Sequence, residues 1–514
     1  MTSRAHLLRA FLVTSVATVL IALSVSAAAR TTTPSPPSRS LLKGQVGSVG
    51  ARGTLATCGP RNCRPTAGPG KRVRCPLNSV KLRPGRRLQA AINARPEGTT
   101  FCLWRGTYHL KRPLIPKSRD VFIGQYGAVL KGSKRVGNWT KRGAHWVATG
   151  QTQENDVVGG VPCRGPIECN RPESVFIGNR VLLQVSTLSA VRPGRFFFDY
   201  PNNTIYIADD PRGRRVEASV AEGAFWATDR YARGVVIKNF FIERFANPSR
   251  TGVIYDTNSP GWVITKNAVT HNHGVGIVHQ DRAKILNNNI NHNGQLGLSG
   301  YRSVGALVRN NVIAWNAIGG FAGFETGGAK YVGTTDLTIQ GNYVHDNRDH
   351  GLWTDTDNIG TAYSRNTIVA NKGFGIIHEA AYGCVIRSNY IADNGAGGIF
   401  ISSSSNVDVF GNSVVGNRGW GIDLFIDGAS GYDLANDYVH GNTFKMRENS
   451  RNGITTMNVG DPASYSTSKN NRFRSNSYFV FHPKHRYWHW AGAPKTWRQW
   501  RSAGQDTQGA IHRL

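Results

Sequence analysis

Between about residue 235 and residue 460 the polar and apolar positions recur in phase. Asn267, Asn288, Asn311, Asn342, Asn366, Asn389 and Asn412 each open the same phrase. Two residues on stands an apolar side chain: Val269, Ile290, Ile313, Val344, Ile368, Ile391 or Val414. Five on stands a second Asn: Asn272, Asn293, Asn316, Asn347, Asn371, Asn394 or Asn417. Nine on comes Gly276, Gly297, Gly320, Gly351, Gly375, Gly398 or Gly421, and ten on another apolar residue, from Ile277 and Leu298 to Ile399 and Ile422. The period is roughly 21 to 24 residues with two steps near 30, and Asn239 and Asn442 look like looser end copies. A fixed period of this length marks a solenoid. Phrases such as Val385-Ile-Arg-Ser-Asn-Tyr-Ile-Ala-Asp-Asn394 alternate apolar and polar residues with β-branched members, so they predict strands. The period leaves no room for a helix, and leucine-rich spacing is absent. The predicted class is all-β: a right-handed parallel β-helix solenoid with a small inserted β module and capped ends. Its coils would stack about 4.8 Å apart, with Asn side chains in hydrogen-bonded ladders at turns that favour the left-handed conformation.

The stack carries a chemical expectation. If the tenth position points inward, strand alternation sends the eleventh and thirteenth outward. The thirteenth column then reads Gln280, Tyr301, Phe324, Asp355, Glu379, Ser402, Phe425. Asp355 and Glu379 therefore fall side by side on consecutive coils, with carboxyls roughly 5 Å apart. Two like charges that close push one pKa up, leaving an acid beside a carboxylate at neutral pH. Trp353 faces the same way, with Phe400 at the matching place two coils on, and aromatic residues there suit a sugar ring. Glu325 and Lys330, in a longer loop from Phe324 to Thr335, would join Asp357, His350 and Tyr382 in binding substrate. His378 is a further candidate, although with His279 it shares the inward twelfth phase of a core histidine. His271 and His273 flank the Asn272 turn with no carboxylate in phase, so no metal site is expected.

Outside the repeat, residues 1–29 read as a secretory signal: Arg4 and Arg9 precede an apolar run, Phe11 to Val25, that ends in Ala27-Ala28-Ala29. No later apolar run is long enough to span a membrane. Residues 30–74, rich in Pro, Ser, Gly and Arg, predict a flexible basic linker. Residues 75–136 predict the first coils, with Leu88 to Ile92 as a short capping helix. Residues 137–230 break the period and predict a β module, with hairpins over Ser174–Leu183 and Phe196–Ile207. Residues 231–460 hold the repeats, and 461–514 an aromatic and basic end in which Trp488, Trp490, Trp497 and Trp500 close the core.

The formal net charge of +31 is uneven. About 24 Lys and Arg fall in residues 1–140 against only Glu97 and Asp120, while 240–460 is near neutral. The repeat face is therefore not a polyanion groove. The basic segment would suit an anionic cell-wall polymer, and no nucleic-acid recognition motif accompanies it. Seven cysteines fit an oxidising compartment. A local Cys163–Cys169 bridge is expected, with Cys58, Cys63, Cys75 and Cys102 in undetermined pairing and Cys384 a buried free thiol. The protein is expected to be secreted and monomeric.

The opening, with Gly106-Thr107-Tyr108 after a strand, resembles that of pectate-lyase-like β-helix proteins. Gly351-Leu-Trp-Thr-Asp355 followed by His378-Glu379-Ala-Ala-Tyr-Gly383 resembles the β-helix xylosidases of glycoside hydrolase family 120. That resemblance implies Asp355 as nucleophile and Glu379 as general acid/base, and no cofactor is expected for that reaction. Thr356-Asp357-Asn358 and Ala380-Ala381-Tyr382 depart from the family's pattern, which leaves the sugar open. Two other classes stand beside a retaining glycosidase. A polysaccharide lyase or uronate epimerase would use Lys330 or His350 as base, with Asp355 and Asp357 holding Ca²⁺. A non-catalytic polysaccharide-binding β-helix would use the column only as a polar stripe.

Overall fold

The computed structural model describes residues 65–227 and 231–514. The signal-like stretch, most of the basic linker, Cys58 and Cys63 lie outside the described residues. Three long parallel sheets run along the molecule. Two have 13 strands, from Val80–Leu82 to Arg472–Arg474 and from Gly106–His109 to Ala510–Arg513, and the third has 12, from Phe225–Trp226 to Ala493–Lys495. One coil gives one strand to each sheet, as in Tyr382–Arg387, Tyr390–Ala392 and Gly397–Ser402. Because every coil repeats the phrase, the same columns stack: Ile368 on Ile391 in one sheet, Ile376 on Ile399 in another. These inward side chains are fully buried in one core that extends from Leu82 to Trp500. Each contributes about 1.5–3 kcal/mol of burial.

Two features hold the columns in register. The ladder asparagines are buried, and each amide serves two coils. Asn342 and its side chain donate to Asn366 Oδ1 at 2.9 and 3.0 Å, and Asn366 donates in the same way to Asn389. The Asn366 amide also caps Ile339 O at 2.9 Å. The left-handed turn position is the residue before each ladder Asn, such as Arg365 (φ 53°) or Ser388 (φ 54°). Asn is thus selected for its buried amide and not for backbone tolerance, which corrects the expectation above. Asn239, with φ 71°, occupies that turn position, so it is not a ladder copy, whereas Asn442 is one. The glycine column marks close coil approach: a Cβ on Gly375 would stand 2.8 Å from Gly398 O.

The ends also differ from expectation. Coiling continues past residue 460, through Arg472–Arg474, Ser477–Val480 and Ala510–Arg513, and Asn476 and Asp506 finish the ladder. Trp488, Trp490 and Trp500 are buried against that last coil and seal it, with the helix Trp497–Ser502 begun by a Thr496–Gln499 capping box. At the other end Leu88 and Ile92 of the helix Leu88–Asn93 plug the core. Residues 65–74 are not a free linker: Gly68 N donates to Asn287 O (2.8 Å) and Gly70 N to Asn239 Oδ1 (2.5 Å), laying the segment against the coils.

The inserted module is an eight-stranded, mostly antiparallel sheet between Ser133–Arg135 and Val216–Ser219. Buried Glu217 joins it to the solenoid through Lys131 (3.2 Å) and Arg244. Its 161–170 loop, closed by the Cys163–Cys169 disulfide, docks on the coils: Arg164 N donates to Gly320 O and His273 Nε2 meets Cys169 O. His273 is therefore an anchor. Cys75–Cys102 is the other disulfide among the described residues, and Cys384 is a buried free thiol. No helix among the described residues is long and apolar enough to cross a membrane.

Replacing Asn366 by Ala orphans Asn342 N and Ile339 O inside the stack, at about 1–3 kcal/mol for each buried group. Chemical denaturation is expected to show Asn366→Ala less stable by about 2–4 kcal/mol, and a loss below about 1 kcal/mol contradicts the ladder's role.

Candidate active site on the third sheet

The site lies on the outer face of the third sheet. His350–Asp355 pairs with Phe374–Glu379, and the register places Asp355 opposite Glu379 and Trp353 opposite Ile377. Val332 precedes Asp355 in that column and Ser402 follows Glu379. The two carboxylates are therefore neighbours across one strand spacing, about 4.8 Å at the backbone.

Their surroundings differ. Lys330, 4% exposed, sets its ammonium 2.8 Å from Asp355 Oδ2, and Thr356 donates to Asp355 Oδ1 at 2.8 Å. Asp355 is thus held by a buried cation on one oxygen and a hydroxyl on the other. Glu379 has no such cation in contact. Burial, and then the nearby Asp355 charge, push its pKa up to about 7, against the pull of Lys330 and hydrogen bonds from Trp353 and Ser402. Trp353 Nε1 donates to Glu379 Oε2 at 3.2 Å. The pair is thus asymmetric: Lys330 and Thr356 hold Asp355, while burial raises the pKa of Glu379 to about 7.

The other candidates divide. Lys330 belongs to the strand Gly327–Val332, in phase with Trp353, and not to a loop. Its ammonium also lies 4.0 Å from the Trp353 ring centre and 2.5 Å from Phe324 O. Trp353 is 6% exposed, with Lys330 over its ring and Glu379 on its nitrogen, so it supports the carboxyl pair and is not an open sugar platform. Phe324 does not stand in the carboxyl column. The coil from Asn311 carries eight extra residues before Gly327–Val332, so Val332 takes that place. Glu325 sits in the short 3₁₀ turn Gly323–Glu325 and turns to Arg250 at 3.4 Å. His350 is a wall residue whose Nδ1 accepts from Phe374 N at 3.1 Å and whose ring packs edge-on to Trp353. Burial holds its pKa below the usual value. His378 does not reach the face: fully buried inside the coil, it bonds Thr354 Oγ1 through Nδ1 at 2.7 Å, and burial lowers its pKa to about 3.

Asp357 and Tyr382 meet a residue that periodicity did not reveal. The loop after Trp420–Asp427 returns Tyr432 across the coils, and its hydroxyl donates to Asp357 Oδ1 at 2.8 Å, with the Tyr382 ring 5.9 Å away. This loop walls the C-terminal ends of the strands. The insert's Arg164, 3.3 Å from Asp349, walls the other ends. Phe400 stacks between Phe374 (4.8 Å) and Phe425 (5.5 Å). Among the described residues no group of three or more His, Cys, Asp or Glu is placed to hold a metal ion.

The raised Glu379 pKa makes a stability prediction. Below about pH 4.5 the group is protonated folded and unfolded and contributes nothing. Between about 4.5 and 7 the unfolded chain releases the proton first, so stability falls with pH, by an amount on the order of 3 kcal/mol above pH 7. Glu379→Gln cannot ionise. It is expected to raise the melting temperature at pH 8 and to match the native protein at pH 4, and a pH-independent difference contradicts the buried-acid assignment.

Residues 251–444 match the family model described as right handed beta helix region. No curated protein matches the chain significantly. Among solved structures, the complex of XylC with xylose is similar over 83% of this chain and 82% of that one, at 17% identity and a TM-score of 0.59. The Azotobacter vinelandii mannuronan C-5 epimerase AlgE6 A-module matches over 83% and 93% at 12% identity and a TM-score of 0.45. The Agl-KA catalytic domain matches over 88% and 70% at 11% identity, also with a TM-score of 0.45. With the coil register, the family model and the XylC likeness show the fold to be a right-handed parallel β-helix.

Proposed function

We propose that the protein is a secreted carbohydrate-active enzyme, a retaining glycoside hydrolase in which Asp355 is the nucleophile and Glu379 the general acid/base. The observation that carries this reading is the register pairing of Asp355 with Glu379, one carboxylate against Lys330 and the other holding its proton to about pH 7. Carboxyls roughly 5 Å apart suit double displacement, whereas inversion needs room for a water between them. Asp355 attacks the anomeric carbon as the bond to the leaving oxygen breaks, and Glu379 gives that oxygen its proton. Glu379 then takes a proton from water, which displaces Asp355 from the sugar and restores both groups. Trp353 orients the acid, and Lys330 holds Asp355 in place. The signal-like N-terminus and the two disulfides support an exported protein.

The xylose in the XylC structure makes pentosides a first choice of substrate, and the loop contacts of Asp357, Tyr382 and Tyr432 are this chain's own means of choosing a sugar. The lyase or epimerase reading fits the residues less well. Lys330 is committed to Asp355, and Asp357 to Tyr432, and among the described residues no group of three or more His, Cys, Asp or Glu is placed to hold calcium.

A screen of aryl glycosides and uronate polymers, with native protein and Glu379→Gln, tests the proposal. Hydrolysis is expected with net retention at the anomeric carbon, with kcat/KM falling as pH rises through about 7. The variant should lose about 10²- to 10⁴-fold on substrates with poor leaving groups. Unsaturated products, or activity untouched by the substitution, contradict the assignment.

A further inference from the structure

The third sheet's outer face does not end at Glu379. Two positions before the carboxyl column, consecutive coils place Trp353, Ile377, Phe400 and Asp423. The rings of Phe374, Phe400 and Phe425 stack beside this column, forming a continuous apolar strip that leads from the carboxyl pair toward Asp423. All three rings are partly exposed.

Asp423 ends the run of aromatic and aliphatic residues Trp353, Ile377 and Phe400 in that column. It is 5% exposed, and its hydrogen-bond partner is Thr455 Oγ1 at 2.8 Å, on the next coil. A carboxyl set among phenylalanines with one hydroxyl partner is costly unless something else uses it. Burial pushes its pKa up to about 7, so near neutrality it both accepts and donates hydrogen bonds, as recognition of a sugar hydroxyl requires. Its coil lies two strand steps beyond that of Glu379, roughly 10 Å along the stack, so it falls beyond the sugar unit held at the carboxyl pair.

We propose that the Phe374–Phe400–Phe425 strip and Asp423 form a second sugar-binding subsite on the C-terminal side of the carboxyl pair, with Asp423 fixing a hydroxyl of the additional unit. The site is thereby built for an oligosaccharide or polysaccharide and not for a single terminal sugar. This deepens the glycosidase reading and rests on it for the placement of the first unit. Apolar faces of sugar rings lie on the phenylalanine edges and faces, and the buried carboxyl supplies the directional contact that rejects a wrongly oriented hydroxyl.

The test uses the full chain with Glu379→Gln to silence turnover. Calorimetry follows binding of xylo-, gluco- and manno-oligosaccharides and oligogalacturonates of one to four units. Affinity is expected to rise from one unit to three. Asp423→Ala in the same background should remove about tenfold of that rise, and Asp423→Asn, which keeps the Thr455 contact, should restore most of it. Melting temperatures of all three proteins separate a binding loss from unfolding. A rise with chain length that Asp423→Ala leaves intact, equal losses for one and three units, or no binding by any panel member overturns the proposal. If oligosaccharides bind in the predicted way while the native protein hydrolyses none of them, the subsite stands and the hydrolase reading fails.

Discussion

The structure depends on register between coils. A parallel stack has no intrinsic reason to stop one strand sliding past the next, because backbone hydrogen bonds re-form after a shift. Here the buried asparagines remove that freedom. Each amide is satisfied only when the next coil presents its own Asn at the same height, as Asn342, Asn366 and Asn389 do. The glycine column adds a steric lock, since the coil turns approach too closely there for a Cβ. Register then converts sequence period into spatial columns, and the columns place Asp355 beside Glu379.

What differentiates the two carboxyls is not position but neighbours. Lys330, Asp355, Trp353 and Glu379 form one connected group: ammonium to carboxylate, ammonium over indole, indole nitrogen to the second carboxyl. Lys330 is paired with Asp355, whereas burial first, and then the nearby Asp355 charge, raise the pKa of Glu379. The stability cost of burying Glu379 at neutral pH is met by the ladders and core of a long stack, where no single coil carries the fold.

The coil architecture and the carboxyl pair were legible because both follow directly from the period. Asp355 and Glu379 stand 24 residues apart at the same phase, and no insertion separates their strands. Where an insertion intervenes, phase counting fails. The eight extra residues after Asn311 carried Phe324 out of the column and hid Lys330's place beside Trp353. Phe321, ten residues on from Asn311 and so expected to point into the coil, is buried instead in a cluster with Ile167 and Val185 of the inserted module. Tyr432 reaches Asp357 from a loop without period, so only the folded chain brings them together. The candidate His378 shows the reverse case: its inward phase was readable, and the structure keeps it in the core.

The account is tested most directly by trapping the covalent intermediate. The native protein would be treated with an activated 2-deoxy-2-fluoro glycoside of the sugar it cleaves, then digested and mapped by mass spectrometry. A single glycosyl adduct on Asp355, absent from Asp355→Asn, is the predicted result. An adduct on Glu379 or on another residue, or turnover with no adduct at all, would contradict the assignment of Asp355 as the nucleophile.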